Sequence, residues 1–171
     1  MLMQQIRNFF FWLFSRKMNS RGRKISPVAL HQAKTIGIIF NAINFHNNKQ
    51  IMEFAKKLRA ERRQVELLAY LPKREFGDTL PFDYFTNKKV NWLGRAGSDI
   101  IERFSNTKFD LLINFQTAPK LPLEYIAVKN PSTYKVTCCP DGDIANYDLI
   151  LISKENNDIS NVINNLEKYL R

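Results

Sequence analysis

Asp141-Gly142-Asp143 sets two carboxylates within reach of one hard cation, and Mg²⁺ is often held by one or two carboxylates together with substrate phosphates. The same Pro140-Asp141-Gly142 run consists of ordinary turn formers, and no calcium-loop spacing follows it. Cys138 is the candidate nucleophile, with His46 as the imidazole that could activate it; His31 and Cys139 are the other histidine and cysteine. A thiolate nucleophile needs a base within hydrogen-bond reach, and nothing in the spacing links either cysteine to either histidine. Two isolated histidines also lack the spacing of metal ligands. Neighbouring cysteines rarely bridge each other and no third is present, so the pair reads as reduced, partly buried thiols at a strand end, in a reducing, cytoplasmic compartment. No catalytic residue and no metal ligand emerges, and a non-enzymatic protein is the expectation.

Phosphate chemistry in an α/β chain usually uses the first strand-to-helix turn, where glycines let backbone N–H groups approach a pyrophosphate. Here that turn is Asn41-Ala42-Ile43-Asn44-Phe45-His46-Asn47-Asn48, with no glycine and two bulky side chains. It reads as a capped surface loop and argues against a nucleotide cofactor; none is expected. Gly94-Arg95-Ala96-Gly97 has the spacing of a loop that clamps nucleic-acid backbone between two helices, but a strand is expected before it, so a turn feeding a helix capped by Ser98 is the plainer reading.

The strongest signal is charge. Residues 1–63 carry 13 Lys and Arg against 2 Asp and Glu, a net +11, whereas residues 64–171 carry 13 against 14, a net −1. Arg7, Arg16, Lys17, Arg21, Arg23 and Lys24 lie in a stretch without any acidic residue. Lys56, Lys57, Arg59, Arg62 and Arg63 form a second cluster on the polar face of an expected helix. Arg and Lys hold phosphates by charge and fork geometry, and unpaired bases stack on aromatic rings such as Phe9, Phe11, Trp12 and Phe14. RNA or the ribosome is the first partner implied. The same ingredients describe a helix lying in a headgroup layer, so an anionic membrane surface is the alternative, although Gln4, Gln5, Arg7 and Asn8 give its polar side one charge only. In a third reading Phe9, Phe10 and Leu13 pack onto the body and the cations face water. A small-molecule enzyme using strand ends near Asn41, Gln116 and Asp141 is the remaining class. The apolar run Phe9–Phe14 is far below the ~20 residues a bilayer span needs, and no small-x-small cleavage site follows it.

A chain of 171 residues that is 44% hydrophobic and 25% charged fits one globular domain. Residues 1–33 read as a basic, aromatic N-terminal arm with one more turn over Val28–Gln32, and residues 34–171 as a single α/β domain. Strands are expected at 35–40, 65–70, 90–93, 109–115, 134–138 and 147–152, the first two being short apolar runs of strand length. Between the second and third strands a loop carries Phe76, Phe82, Tyr84 and Phe85. Helices are expected from a cap at Asn47 or Asn48 through Arg63, after Ser98, over Pro119–Val128, and over Asp158–Leu170. This alternation predicts a three-layer, mainly parallel, doubly wound sheet of the flavodoxin or Rossmann-like kind.

The order of these pieces resembles a family of short bacterial proteins that share a domain of unknown function. The resemblance rests on Thr35-Ile36-Gly37-Ile38-Ile39-Phe40-Asn41, Leu68-Ala69-Tyr70, Asn91-Trp92-Leu93-Gly94 and the Phe109–Asn114 strand, behind a basic arm. It implies a cytoplasmic α/β protein and transfers no catalytic or binding residue. The sheet also resembles one half of a two-domain glycosyltransferase, whose cleft needs both halves, and so implies no transferase activity for one half alone.

Overall fold

Ile36, Ile38 and Phe40 alternate with Gly37 and Ile39 along Thr35–Asn41 (β1), and the apolar side chains of both sets are fully buried, as in a strand covered on both faces. The computed structural model describes residues 5, 9, 13, 26–73, 80–91, 94–142, 144–152 and 158–171. After β1 come α1 (Phe45–Ala60), β2 (Gln64–Tyr70), β3 (Asp83–Phe85), α2 (Asp99–Asn106), β4 (Leu111–Asn114), α3 (Leu121–Lys129), β5 (Tyr134–Thr137), β6 (Leu149–Ile150) and α4 (Ile159–Tyr169). Among the described residues, six strands form one all-parallel sheet in the order β3-β2-β1-β4-β5-β6. This is the three-layer, Rossmann-like architecture expected, with the strand order reversing between β1 and β4, the place where such sheets hold ligands outside their carboxyl ends.

Each face of the sheet has its own core. On one, Ile36, Ile38 and Phe40 meet Ile51, Phe54 and Leu58 of α1 and Ile159, Val162 and Leu166 of α4. On the other, Ile39, Leu68 and Leu112 meet Ile101 and Phe104 of α2 and Leu123, Ile126 and Ala127 of α3. Gly37 serves the second face by leaving room: a Cβ there would lie 2.6 Å from two ring carbons of Phe109, which packs on Phe104 with centroids 5.0 Å apart. At the amino edge the Asp110 carboxylate accepts the main-chain N–H of Lys34 (2.9 Å) and of Thr35 (3.0 Å), joining the starts of β1 and β4. Leu30 and Ala33, in the stretch read from sequence as arm, are buried in the first core, and the Leu30 N–H donates to the Leu170 carbonyl beyond α4.

Four local expectations are corrected. The third strand is Asp83–Phe85, inside the segment expected to be loop, while Val90 forms only an isolated antiparallel bridge to Ala96; Trp92 and Leu93 lie outside the described residues. Parallel pairing of Leu68, Ala69 and Tyr70 with Asp83, Tyr84 and Phe85 extends the sheet without an alternating apolar pattern. The cap of α1 is Asn44, which accepts the Asn47 N–H at 3.1 Å; Asn48 instead donates its amide to the Ala42 carbonyl. The helix ends at Ala60, not Arg63, because Arg62 adopts a left-handed backbone. Ser98 precedes α2 but its side chain makes no capping bond.

Candidate functional site

The end of α1 is built in an unusual way. The Arg62 N–H donates to the Arg59 carbonyl (2.9 Å) and the Arg63 N–H to the Leu58 carbonyl (3.2 Å). These are the paired bonds of a Schellman cap, whose left-handed residue is most often glycine because a Cβ is penalised there. Arg62 occupies that position with φ 63°, the only non-glycine residue with positive φ among the described residues. Its side chain is exposed and has no partner among them, and the same holds for Lys56 one and a half turns earlier.

The other nominated cations of this helix are employed inside the molecule. Lys57 Nζ meets Glu167 of α4 at 2.6 Å, Arg59 donates to the Val65 carbonyl at 2.8 Å, and the largely covered Arg63 pairs with Glu61 at 2.8 Å. The charged face therefore divides into Lys57, Arg59 and Arg63, which brace the body, and Lys56 and Arg62, which face water. Arg7, Phe11, Trp12, Phe14, Arg16, Lys17, Arg21, Arg23 and Lys24 lie outside the described residues. Gln5, Phe9 and Leu13 are helical, with Phe9 56% and Leu13 43% exposed.

A second constellation, at the carboxyl ends of β4 and β5, escaped sequence reasoning. Glu124 of α3 is only 2% exposed. One of its oxygens accepts from the Gln116 amide, and the other accepts the Tyr147 hydroxyl at 3.1 Å. Tyr147 in turn accepts Asn114 Nδ2 at 2.6 Å, and Asn114 Oδ1 accepts the Gln116 N–H at 3.1 Å. Burial, and then the neighbouring Glu124 carboxylate, push the Tyr147 hydroxyl well above its usual range, so it stays protonated and donating. Gly142 closes this cluster, since a Cβ there would lie 2.8 Å from Glu124 Oε1. The signal available in sequence was a lone carboxylate inside the apolar run Leu121–Val128. The network ties the β4–α3 connection and α3 to Tyr147, just before β6, and so positions these segments.

The remaining candidates do not assemble. Cys138 Sγ donates to the Gln116 carbonyl at 3.2 Å, while His46 pairs with Gln50 at 2.9 Å. Both cysteines are free and buried. Burial, then the adjacent Cys139, raises the Cys138 thiol to about 12; burial, then Glu124, raises Cys139 to about 11. Both shifts disfavour the thiolate, the form in which a cysteine acts as nucleophile. Asp141-Gly142 forms the expected turn, with the Gly142 N–H facing the Cys139 carbonyl, and Asp143 lies outside the described residues. Gly94 has φ 81°, a Cβ added there would lie 2.8 Å from Leu121 Cβ, and Arg95 bonds back to Asn91, so this loop is a turn sealed against α3. Among the described residues, no three His, Cys, Asp or Glu side chains gather as a metal site, and no helix is long and apolar enough to cross a membrane.

Comparison with curated proteins and with solved structures returns no match. A family model does match, over residues 7–171, and so takes in the basic segment Arg7–Lys24 together with the whole sheet. The chain belongs to the family of unknown function DUF6913.

Proposed function

We propose that this is a non-enzymatic, cytoplasmic protein that docks on RNA or the ribosome through phosphate contacts, with the sheet as scaffold. The observation that carries this reading is Arg62: an exposed guanidinium, without a partner among the described residues, kept at a backbone position where glycine would be less strained. Local strain persists where the surrounding structure over-determines it, and it clusters at functional positions. The net +11 of residues 1–63 supports the same reading, as does the inclusion of Arg7–Lys24 in the family match. Two buried, protonated thiols accord with a reducing compartment. Phosphate contacts position a protein without reading bases, so sequence preference is weak. Ribosome co-sedimentation at low and high salt, with and without RNase, tests the proposal. Binding at low salt that falls steeply as salt rises is expected from counterion release. No co-sedimentation at low salt overturns it.

Exposed Phe9 and Leu13, one turn apart on a helix, favour a second reading, an anionic membrane surface met by the arm. Flotation with anionic but not neutral vesicles, lost on Leu13→Glu while RNA binding is kept, would replace the first reading by the second.

A further inference from the structure

We propose that the cleft at the carboxyl ends of β1 and β2 binds a nucleotide, with the base between aromatic walls and the phosphate at Lys73. The cleft holds about 420 Å³, within the range of small-molecule sites (~300–1,000 Å³). On one side stand Ile43, Phe45 and Asn48 of the β1–α1 connection; on the other stand Lys73, Leu80 and Phe82, between β2 and β3. The cleft lies at the carboxyl ends of the parallel strands, the end at which open α/β sheets hold ligands, on the β2 side of β1 rather than at the β1–β4 reversal.

The wall chemistry selects the ligand. Phe82 is held edge-on by the fully buried Phe40, with centroids 5.1 Å apart and planes at 75°, so its orientation is fixed. Phe45 at the rim is 84% exposed, an aromatic ring left in water beside an apolar cavity. A flat ring covers both surfaces by stacking, and every nucleobase presents such a face. The Asn48 amide donates Nδ2 to the Ala42 carbonyl at 3.3 Å, which settles its orientation and leaves Oδ1 sealed from water without a partner. An amino group on the base is the donor Oδ1 lacks, and meeting it exchanges the long Nδ2–Ala42 bond for a bond to the ligand. Among the described residues Lys73 is the one charged residue on the lining, and the first turn of α1 carries no acid, so an anionic ligand is favoured. The glycine-free turn excludes a pyrophosphate laid on the backbone, which limits the ligand to a single nucleotide unit.

This site stands independently of the ribosome reading, because the unit can be a free mononucleotide or an unpaired residue of an RNA strand. The test is calorimetric titration of the full chain with AMP, CMP and UMP, and with a short single-stranded oligoribonucleotide. Phe45→Ala and Lys73→Glu are the probing variants, and Lys108→Glu at the opposite edge of the sheet is the charge control. Binding that weakens at least tenfold in both probing variants and is unchanged in the control is the expected result. Mononucleotide binding identifies the free ligand as the source, and binding of the oligonucleotide alone identifies an RNA strand. No binding of either probe, binding unaffected by Phe45→Ala and Lys73→Glu, or uptake of a fatty acid in preference to any nucleotide overturns the proposal. Ribosome co-sedimentation that persists while nucleotides fail to bind sinks this site and leaves the docking reading standing.

Discussion

Replacing Arg62 by glycine separates what the fold needs from what a partner needs. At φ 63° a Cβ costs roughly 1–2 kcal/mol. Glycine removes that cost but loosens the unfolded chain, which takes back roughly 0.4–1 kcal/mol. Both bonds of the cap are main-chain, at 2.9 and 3.2 Å, so they survive the change. The net expectation is a gain of about 0.5–1 kcal/mol. Unfolding entropy of ~2.1 cal/mol/K per residue gives roughly 0.36 kcal/mol/K for a chain of this length, so Tm rises by about 1–3 °C. The same variant loses one free cation, and the slope of log binding against log salt becomes shallower by about 0.7 for a single-stranded target. Arg62→Ala is the comparison: it keeps the Cβ and the strain but loses the charge, so the salt slope changes equally with no rise in Tm. Thermal unfolding followed by circular dichroism and salt-dependent ribosome co-sedimentation read the two effects separately. A Tm for Arg62→Gly at or below that of Arg62→Ala refutes the strain argument. An unchanged salt slope in both variants refutes the docking role.

Gly37→Ala drives a Cβ into the Phe109 ring at 2.6 Å; overpacking of this kind costs about 1–3 kcal/mol, and a double-mutant cycle with Phe109→Leu should show coupling well above ~0.5 kcal/mol, additivity being the contrary result. Tyr147→Phe leaves Asn114 and the buried Glu124 each short of a partner and should lower stability by about 1–3 kcal/mol, seen as an earlier urea midpoint with unchanged slope; an unchanged midpoint would show the cluster to be dispensable. Neither cysteine should react with a thiol reagent at pH 8 until the chain unfolds, since both are buried and held protonated; rapid labelling of the native protein contradicts this. Burial alone would raise the Asp110 carboxyl, but N–H bonds from Thr35 and Lys34 outweigh it and hold the group below the ordinary carboxylate range. Its contribution is then complete above the unfolded value of ~3.9 and lost as pH falls through the lower folded value. The stability difference between the wild type and Asp110→Asn should be constant from pH 7 to 5 and shrink between pH 4 and 2, and a difference that stays constant to pH 2 would remove this staple from acid unfolding.

Elements whose burial is written in their own residues were legible in advance. β1, β4 and α4 carry continuous or periodic apolar residues, and each forms where its pattern places it. β3 was not legible, because three residues give too short a pattern and Asp83-Tyr84-Phe85 becomes a strand only by pairing with β2. Four asparagines crowd the start of α1, and any of them can cap a helix; Asn44 does so because Asn48 is already committed to the Ala42 carbonyl. The cationic face of α1 could be counted from the sequence, but its division could not. Lys57 is taken by Glu167, far away in the chain, and Arg62 is set apart by its backbone angle, and neither fact is local. The Glu124–Tyr147–Asn114 cluster joins three separate segments, so no window of sequence contains it.

The strand order has a consequence for biosynthesis. β1 is made first yet sits mid-sheet, with β2 on one flank and β4 on the other. Once residues up to 106 have emerged, β1, β2 and β3 can already pair, but the whole β4-facing flank of β1 is a bare row of amides and carbonyls beside Ile36, Ile38 and Ile39. That nascent half-sheet is a sticky template for other chains until Leu111–Asn114 arrives, and products cut short between α2 and β4 should precipitate where the whole chain folds.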